Sequence, residues 1–210
     1  LMLTSSTWKQ SYNSPSFAEA SAKDPENKLL WHWERRRLEA EEMRDSLLAV
    51  AGRLNMKLGG QSVMVPVDKE LTNLLYKPSQ WVASEKSEHY RRSVYLIAKR
   101  NLRLPMMDAF DAPDLQISCA RRESSTHAPQ ALELTNGEFA TEMAEAFAAR
   151  LTKEAGADPK RIAERAWELA AGRAPNAKEL ALSAQFLSGR RPLREFALAV
   201  LNLNSFAYVE

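Results

Sequence analysis

Residues 35–54 read RRRLEAEEMRDSLLAVAGRL and form the longest strongly periodic stretch of the chain. Wound as a helix at about 100° per residue, the stretch places its apolar side chains on one face. These side chains are Met43, Leu47, Val50, Ala51 and Leu54, with Ala40 beside them. The spacing therefore predicts a helix that packs one apolar face against a core.

A second, more polar stripe runs beside the apolar face of this predicted helix. It consists of Arg37, Glu41, Arg44, Asp45 and Leu48. Opposite charges three and four residues apart can pair, so the stripe is either a solvated face with weak ion pairs or a half-buried polar network that lines a cleft. Arg36 projects toward the apolar side and needs either a route to water or a carboxylate. We expect a central helix with Arg36, Glu41 and Asp45 partly buried.

Length and composition indicate one folded domain. The chain has 210 residues, of which 45% are hydrophobic and 27% are charged, enough for one sizeable core. The net charge of +2 and the interleaving of basic with acidic residues argue against a nucleic-acid partner. No apolar run approaches the roughly 20 residues that cross a bilayer, so no membrane span is expected. Because the chain begins at Leu1 without a methionine, we expect a piece of a larger protein.

Metal and cofactor chemistry finds little support in the sequence. Cys119 is the single cysteine, which excludes an intrachain disulfide, a thiolate cluster and a covalent c-type haem. The three histidines, His32, His89 and His127, lie far apart and lack metal-ligand spacing. We therefore expect no cofactor and no metal site in this chain.

The second half of the chain predicts a run of helices with short links. Phe139, Met143, Phe147 and Leu151 recur every four residues, and Gly156 is a typical C-terminal stop. Further helices are predicted from Asp158-Pro159, from a capping box of Asn176 with Glu179, and from Pro192. Upstream, short helices are predicted at 105–110 and up to Thr135, the latter ended by Asn136-Gly137 and capped by Ser125 or Thr126.

The first half predicts less regular structure. We expect an irregular lead-in over 1–23, a helix that starts at Asp24-Pro25, and a long irregular connection over 68–90. Residues 63–67 read VMVPV and predict an edge strand, with 91–100 as its partner in a small two-stranded ribbon. The predicted fold is a mainly α, helical bundle-like single domain over 1–210 with this ribbon.

Several short sequence segments occur in an order typical of one known family. They are residues 35–41 and 44–50, Arg91–Leu96, Phe110–Asp114, Ser118–Arg122, Gly172–Pro175 and Leu201–Val209. Together they resemble the C-terminal domain of unknown function of planctomycete-type, cytochrome-c-associated exported multidomain proteins. The resemblance implies a secreted parent, located in the periplasm or at the cell surface, that often carries a c-type haem domain elsewhere. It implies no established activity.

The candidate chemistry centres on two carboxylates. Glu41 and Asp45 lie one helical turn apart, where they suit an acid–base pair, a shared proton or a cation site. Arginines and their neighbours would then hold an anionic or sugar substrate. The candidate ligand- or partner-binding residues are Arg36, Arg37, Arg44, Arg92, Tyr95, Asp111, Arg121 and Gln130. The alternative role for this whole set is a structural network of salt bridges.

Three functions follow from these observations, and the sequence does not decide whether the chain is an enzyme. The first is a helical module that docks other domains of its parent, or binds a partner or ligand, through its Arg/Asp/Glu-rich face. The second is a hydrolase-type domain that acts on a glycan through Glu41 and Asp45. The third is a scaffold for a c-type haem domain elsewhere in the parent. An accessible cleft with perturbed carboxylates would favour the enzyme, whereas carboxylates buried in mutual pairs would not.

Overall fold

A computed structural model describes residues 1–12, 17–73, 77, 81–189 and 192–209. Within these residues lie ten α-helices and one two-stranded antiparallel sheet. The helices are α1 (Phe17–Lys23), α2 (Ala40–Val50), α3 (Lys69–Asn73), α4 (Pro105–Ala109), α5 (Ala128–Asn136), α6 (Glu138–Ala155), α7 (Pro159–Ala171), α8 (Ala177–Ser188), α9 (Leu193–Leu201) and α10 (Asn204–Ala207). The sheet pairs β1 (Arg36–Arg37) with β2 (Tyr208–Val209). The predicted mainly α fold with a small ribbon is confirmed. No helix of the described ranges is long and apolar enough to cross a membrane.

The periodic stretch is a helix only from Ala40 onward. Glu39 is the N-cap residue, and the carboxylate of Glu42 accepts a hydrogen bond from the Glu39 N–H at 3.0 Å in a capping box. Before the cap, Arg36 and Arg37 are extended and pair with β2. The prediction of one helix from residue 35 was therefore wrong at its N-terminal end, since a strand from the far end of the chain binds this segment.

The predicted apolar face of α2 is buried. Met43 and Leu47 are completely inaccessible to water, and so is Leu48, which the helical projection assigned to the polar stripe. This face packs into one hydrophobic core with α6, whose buried side chains include Met143 and Phe147. Helix α6 also packs against α5, α7 and α9. Helix α2 is therefore central, as expected.

The helical boundaries of the second half follow the sequence signals. Helix α6 ends at Ala155 and is followed by Gly156, which adopts a φ of 76° that favours glycine. At α8, the side chain of Asn176 accepts a hydrogen bond from the Glu179 N–H at 2.9 Å, and the Glu179 carboxylate accepts one from the Asn176 N–H at 2.7 Å. This confirms the predicted capping box. Gly137 is the single residue between α5 and α6.

The predicted ribbon of residues 63–67 with 91–100 was wrong. Val63 and Leu96 share one isolated parallel bridge, and the Val63 N–H donates to the Tyr95 carbonyl at 2.7 Å. Ser93–Tyr95 forms a 3-10 turn instead of a strand. The reason is Asp45, whose carboxylate accepts hydrogen bonds from both the N–H and the hydroxyl of Ser93 at 2.7 Å and thereby bends the chain.

Two predictions for the first half also need correction. No helix starts at Asp24; its carboxylate accepts hydrogen bonds from the N–H groups of Lys28 and Leu29 in a compact turn. Asn27 and Leu30 adopt positive φ values of 51° and 53°, which a continuous helix would not allow. The helix lies earlier, at α1, inside the lead-in that was expected to be irregular.

The connection over 68–90 contains more structure than expected where it is described. Helix α3 occupies its start, and Lys86–Glu88 forms a 3-10 turn near its end. Residues 74–76 and 78–80 of the predicted connection lie outside the described residues. Parts of the connection on either side of these residues form one wall of a cleft.

Candidate functional site

Arg37 and Asp111, both predicted binding residues, belong to one partly buried network. The Arg37 guanidinium donates to the Asp111 carboxylate at 2.7 Å and to the Ser125 carbonyl at 2.7 Å. Gln130, also predicted, donates to the same Ser125 carbonyl at 3.1 Å. Ser125 does not cap α5, because its N–H and hydroxyl both bind Asp111 and His127 is the N-cap residue. These residues connect β1 to the start of α5.

The Asp111 carboxylate is held ionised by its neighbours. Partial burial acts to raise its pKa, but the hydrogen bonds from the Ser125 N–H, the Ser125 hydroxyl and the Arg37 guanidinium outweigh burial and lower the pKa to about 2. Asp111 also has a φ of 60°, a left-handed conformation that aspartate adopts more readily than most residues. The residue is therefore built into the fold as a permanent acceptor.

Arg44 is the second buried arginine of the predicted set. Its guanidinium donates to the Arg91 carbonyl at 2.9 Å, to the His89 carbonyl at 2.6 Å and to the Ser93 hydroxyl at 3.2 Å. Burial lowers the pKa of Arg44 to about 10, although the neighbouring Asp45 carboxylate acts in the opposite direction. Arg44 thus holds residues 89–93 against α2, and Asp45 assists by binding Ser93.

A third buried arginine, Arg91, was missed as a candidate. Its side chain is 1% exposed and its guanidinium lies 3.9 Å from the centre of the Tyr95 ring. It donates to the carbonyls of Lys57 at 3.2 Å and Gly59, and to the Glu88 carboxylate at 3.1 Å. The Tyr95 hydroxyl accepts a hydrogen bond from the Gly59 N–H at 3.0 Å. Tyr95, a predicted binding residue, is therefore part of the structural packing around Arg91.

The remaining predicted residues lie at the surface. The Glu41 carboxylate accepts two hydrogen bonds from Arg122, at 2.7 and 3.0 Å, which lower its pKa although partial burial acts to raise it. Arg36 is exposed, contrary to expectation, and forms a two-pronged pair with Glu42. Arg92 is exposed with its Nε 3.8 Å from Asp45, and Arg121 is exposed. Glu41 and Asp45 are each partly buried, as expected.

The structure does not bring the predicted acid–base pair to a large cavity. Glu41 lines a small pocket of about 130 Å³, while one carboxylate oxygen of Asp45 binds Ser93 and the other is approached by Arg92. The half-buried polar network, one of the two interpretations of the polar stripe, is present. It links segments of this chain to one another, and one of its members, Arg44, also lines a larger cleft.

A larger cleft lies beside this network. It has a volume of about 580 Å³ and opens between the α5–α6 junction, the α4 region and residues 65–71 and 86–90. Its apolar lining is Val65, Pro66, Val67, Leu71, Leu104, Pro105, Met106, Met107 and Phe139. Its charged and polar lining is Arg44, Asp68, Lys86, His89, Tyr90, Glu133, Glu138 and Glu142. Of the predicted site residues, Arg44 lines this cleft.

Glu133 is the unusual group in the cleft. Among the described residues its carboxylate has no hydrogen-bond or ion-pair partner, and burial raises its pKa. The carboxylate folds over Gly137, where a Cβ atom would lie only 2.8 Å from Glu133 Oε1. A side chain at residue 137 would therefore exclude Glu133 from its observed position. The asparagine–glycine pair at 136–137 marked this junction in the sequence, but nothing in the spacing indicated the carboxylate.

Two further contacts shape the walls of the cleft. The Tyr90 hydroxyl donates to the Glu142 carboxylate at 2.5 Å, which raises the pKa of Tyr90. His89 Nε2 lies 2.6 Å from the Ser84 carbonyl, so this ring nitrogen carries the proton. No group of three or more His, Cys, Asp or Glu side chains in the described ranges is arranged to hold a metal ion.

Fold and cleft define this chain as a mainly α domain with a buried arginine framework and a large, partly apolar cleft. The family model for a protein of unknown function (DUF1553) matches residues 1–187, so the chain belongs to that family. Searches among curated proteins and among solved structures find no match.

Proposed function

We propose that this domain is a binding module whose cleft between the α5–α6 junction and residues 65–71 holds a ligand or a segment of a partner. The cleft carries the proposal, because ligand sites are typically concave, mostly apolar, and supplied with a few convergent polar groups. Its volume of about 580 Å³ suits a small molecule or a few side chains. Glu133 supports the choice, since a perturbed carboxylate in a cleft is typical of functional sites.

The arginine-rich face is a weaker candidate for docking than the sequence suggested. The side chains of Arg37 and Arg44 are only 6% and 5% exposed, and both terminal nitrogens of each guanidinium donate to oxygen atoms of this chain. Arg36 and Arg122 are accessible but already paired with Glu42 and Glu41. A partner would have to displace these bonds to bind there.

No specific structural observation favours either alternative function, the glycan hydrolase or the scaffold for a haem domain. A glycan-directed hydrolase using Glu41 and Asp45 would need one carboxyl group that keeps its proton as the general acid, whereas Arg122 lowers the pKa of Glu41 and the Asp45 carboxylate accepts two hydrogen bonds from Ser93. The role beside a c-type haem domain, the planctomycete-type parent and the exported location rest on the sequence resemblance. They stay proposals about the larger protein and do not compete with a binding cleft.

The test is to fill the cleft with a side chain and follow ligand binding by NMR. We expect a library of small fragments to shift the amide signals of Leu104, Phe139 and His89 in the wild-type chain. Val67→Trp fills the cleft wall, so these shifts are expected to disappear. Val82→Trp is the matched control, because Val82 is 71% exposed and does not line the cleft.

Circular dichroism and thermal unfolding establish that both tryptophan variants are folded. If fragments shift signals elsewhere on the surface, or if the shifts persist unchanged in folded Val67→Trp, the cleft is not the binding site and the proposal fails.

A further inference from the structure

We infer that the cleft recognises an organic cation, a primary ammonium or guanidinium group carried on an aliphatic stem, with Glu133 as the group that binds the charge. This inference rests on the proposed binding function and specifies its ligand. Such a cation is offered by a lysine or arginine side chain of a partner, or by a small alkylamine. The two sources share one chemistry, and titration with a compound of each kind separates them.

The first argument is the state of the Glu133 carboxylate. It lies in the last turn of α5, partly shielded from water, and has no donor of its own in the described part of the chain. A carboxylate in this position loses hydration without compensation, as the raised pKa shows. An ammonium or guanidinium group would supply the missing donors through charge-assisted hydrogen bonds.

The second argument is the balance of charge around Glu133. Besides the Tyr90 phenol, the other titratable side chains that line the cleft are Asp68, Glu138 and Glu142 on the acidic side and Arg44, Lys86 and His89 on the basic side. The guanidinium of Arg44 is engaged by three oxygen atoms of this chain, and one oxygen of Glu142 is engaged by Tyr90. Apart from His89, four carboxylates including Glu133 face the two cations Arg44 and Lys86, so the cleft favours a positive ligand.

The dipoles of the two neighbouring helix ends also affect the electrostatic potential at Glu133, by a smaller amount. The last turn of α5 contains no basic side chain among its described residues, so its negative end is not compensated. The positive end of α6 begins after one intervening residue, Gly137, but Glu138 lies in the first turn of α6 and offsets it. The local field at Glu133 therefore does not oppose a cation.

The third argument is the apolar wall. Val67, Leu71, Leu104, Met107 and Phe139 are partly exposed side chains that face the cleft. An inorganic cation would gain nothing from them, whereas an aliphatic stem of several methylenes would bury its surface there. The burial of each methylene would strengthen binding. The combination of one partly buried carboxylate and an apolar wall thus selects a cation that carries a stem.

The experiment compares cations with neutral counterparts that keep the same aliphatic stem. Nα-acetyl-lysine methylamide and Nα-acetyl-norleucine methylamide are titrated into the 15N-labelled chain at pH 7, together with n-pentylamine and n-pentanol. We expect each cation to bind at least about tenfold more tightly than its neutral counterpart, the range of one hydrogen bond to a charged group. Glu133→Gln is expected to abolish this preference, while the control Glu123→Gln, an exposed glutamate outside the cleft, retains it.

The arms of the titration separate the outcomes. Tight binding of the lysine derivative but not of pentylamine indicates a lysine of a protein partner, and comparable binding of both indicates a small amine; either supports the inference. If the norleucine derivative binds as well as the lysine derivative and Glu133→Gln changes nothing, the inference fails and the proposed cleft stands. If all four compounds fail to bind, the inference is overturned, and the fragment screen decides the cleft separately.

Discussion

The guanidinium of Arg37 lies 2.7 Å from the carboxylate of Asp111, although the two residues are 74 positions apart in the chain. Arg37 is in β1, shortly before α2, and Asp111 closely follows α4. Because Asp111 also binds the N–H and the hydroxyl of Ser125, this pair joins three segments around the core. Arg37 and Asp111, two of the predicted binding residues, thus form an internal connection of the fold.

Asp111→Asn is expected to destabilise the chain by about 3 kcal/mol, because it leaves the buried Arg37 guanidinium without a counter-charge. Asparagine tolerates the positive φ of this position, so the substitution removes the charge without straining the backbone. Urea unfolding at pH 7 measures the effect. Asp114→Asn is the control, since Asp114 is exposed and its nearest arginine nitrogen is 3.8 Å away; equal losses in both variants would contradict the prediction.

The same carboxylate predicts how stability depends on pH. An aspartate whose pKa falls from about 3.9 in the unfolded chain to about 2 in the folded one adds about 2–3 kcal/mol above pH 4. This contribution is lost as the pH falls from about 4 to 2, since the unfolded state takes up the proton first and the folded state only near its own lower pKa. Unfolding free energies of wild type and Asp111→Asn should therefore converge over that window. A constant difference down to pH 2 would argue against an ionised Asp111.

Arg44→Lys is expected to cost about 2–3 kcal/mol, although the charge is kept. The planar guanidinium reaches the carbonyls of His89 and Arg91 from two different nitrogens, and one ammonium group cannot replace both. Arg92→Lys, at an exposed neighbouring arginine, should stay within about 0.5 kcal/mol of wild type. Chemical denaturation measures the unfolding free energy of both variants. An Arg44→Lys variant as stable as wild type would show that charge alone stabilises this segment.

Gly137→Ala should destabilise the α5–α6 junction by about 1–3 kcal/mol. The φ of Gly137 is −62°, so backbone strain is not the cause; the added Cβ would meet the carbonyl and the carboxylate of Glu133. Combining it with Glu133→Ala should not restore stability, because the backbone carbonyl remains. Gly189→Ala, where the nearest atom to an added Cβ is a carbonyl oxygen at 3.2 Å, is the control with a smaller expected loss. Full recovery in the double variant would show that the carboxylate alone creates the conflict.

Glu133→Gln is expected to stabilise the chain at neutral pH. Since burial raises the pKa of Glu133, the folded state binds its proton more tightly than the unfolded state, and stability falls as the pH rises through that pKa. The glutamine variant lacks this penalty. Its higher melting temperature should therefore become equal to that of wild type at pH values below the ordinary pKa of glutamate. Glu123→Gln serves as the exposed control. A destabilised Glu133→Gln would mean that the carboxylate has a stabilising partner.

Features encoded within a few residues could be predicted from the sequence. The apolar spacing of Met43 and Leu47 requires a buried helical face, and the capping box of Asn176 with Glu179 requires a helix start. The break at Gly137 likewise follows from local backbone chemistry. The predicted mainly α class rests on such signals, and they suffice because helix formation uses hydrogen bonds between neighbours in the chain.

Tertiary structure decided the rest. Arg36 and Arg37 leave the helical pattern because β2, from the opposite end of the chain, supplies hydrogen bonds that no local rule contains. Arg91 looked like a strand residue, yet its guanidinium is buried against the carbonyls of residues 57 and 59. The cleft exists only where distant segments leave space, and Glu133 lacks a partner among the described residues because none of these segments brings it a donor. Local sequence determined the buried face of α2 and the helices of the second half, whereas long-range packing determined how Arg37, Arg44 and Arg91 are paired and left the Glu133 carboxylate without a partner among the described residues.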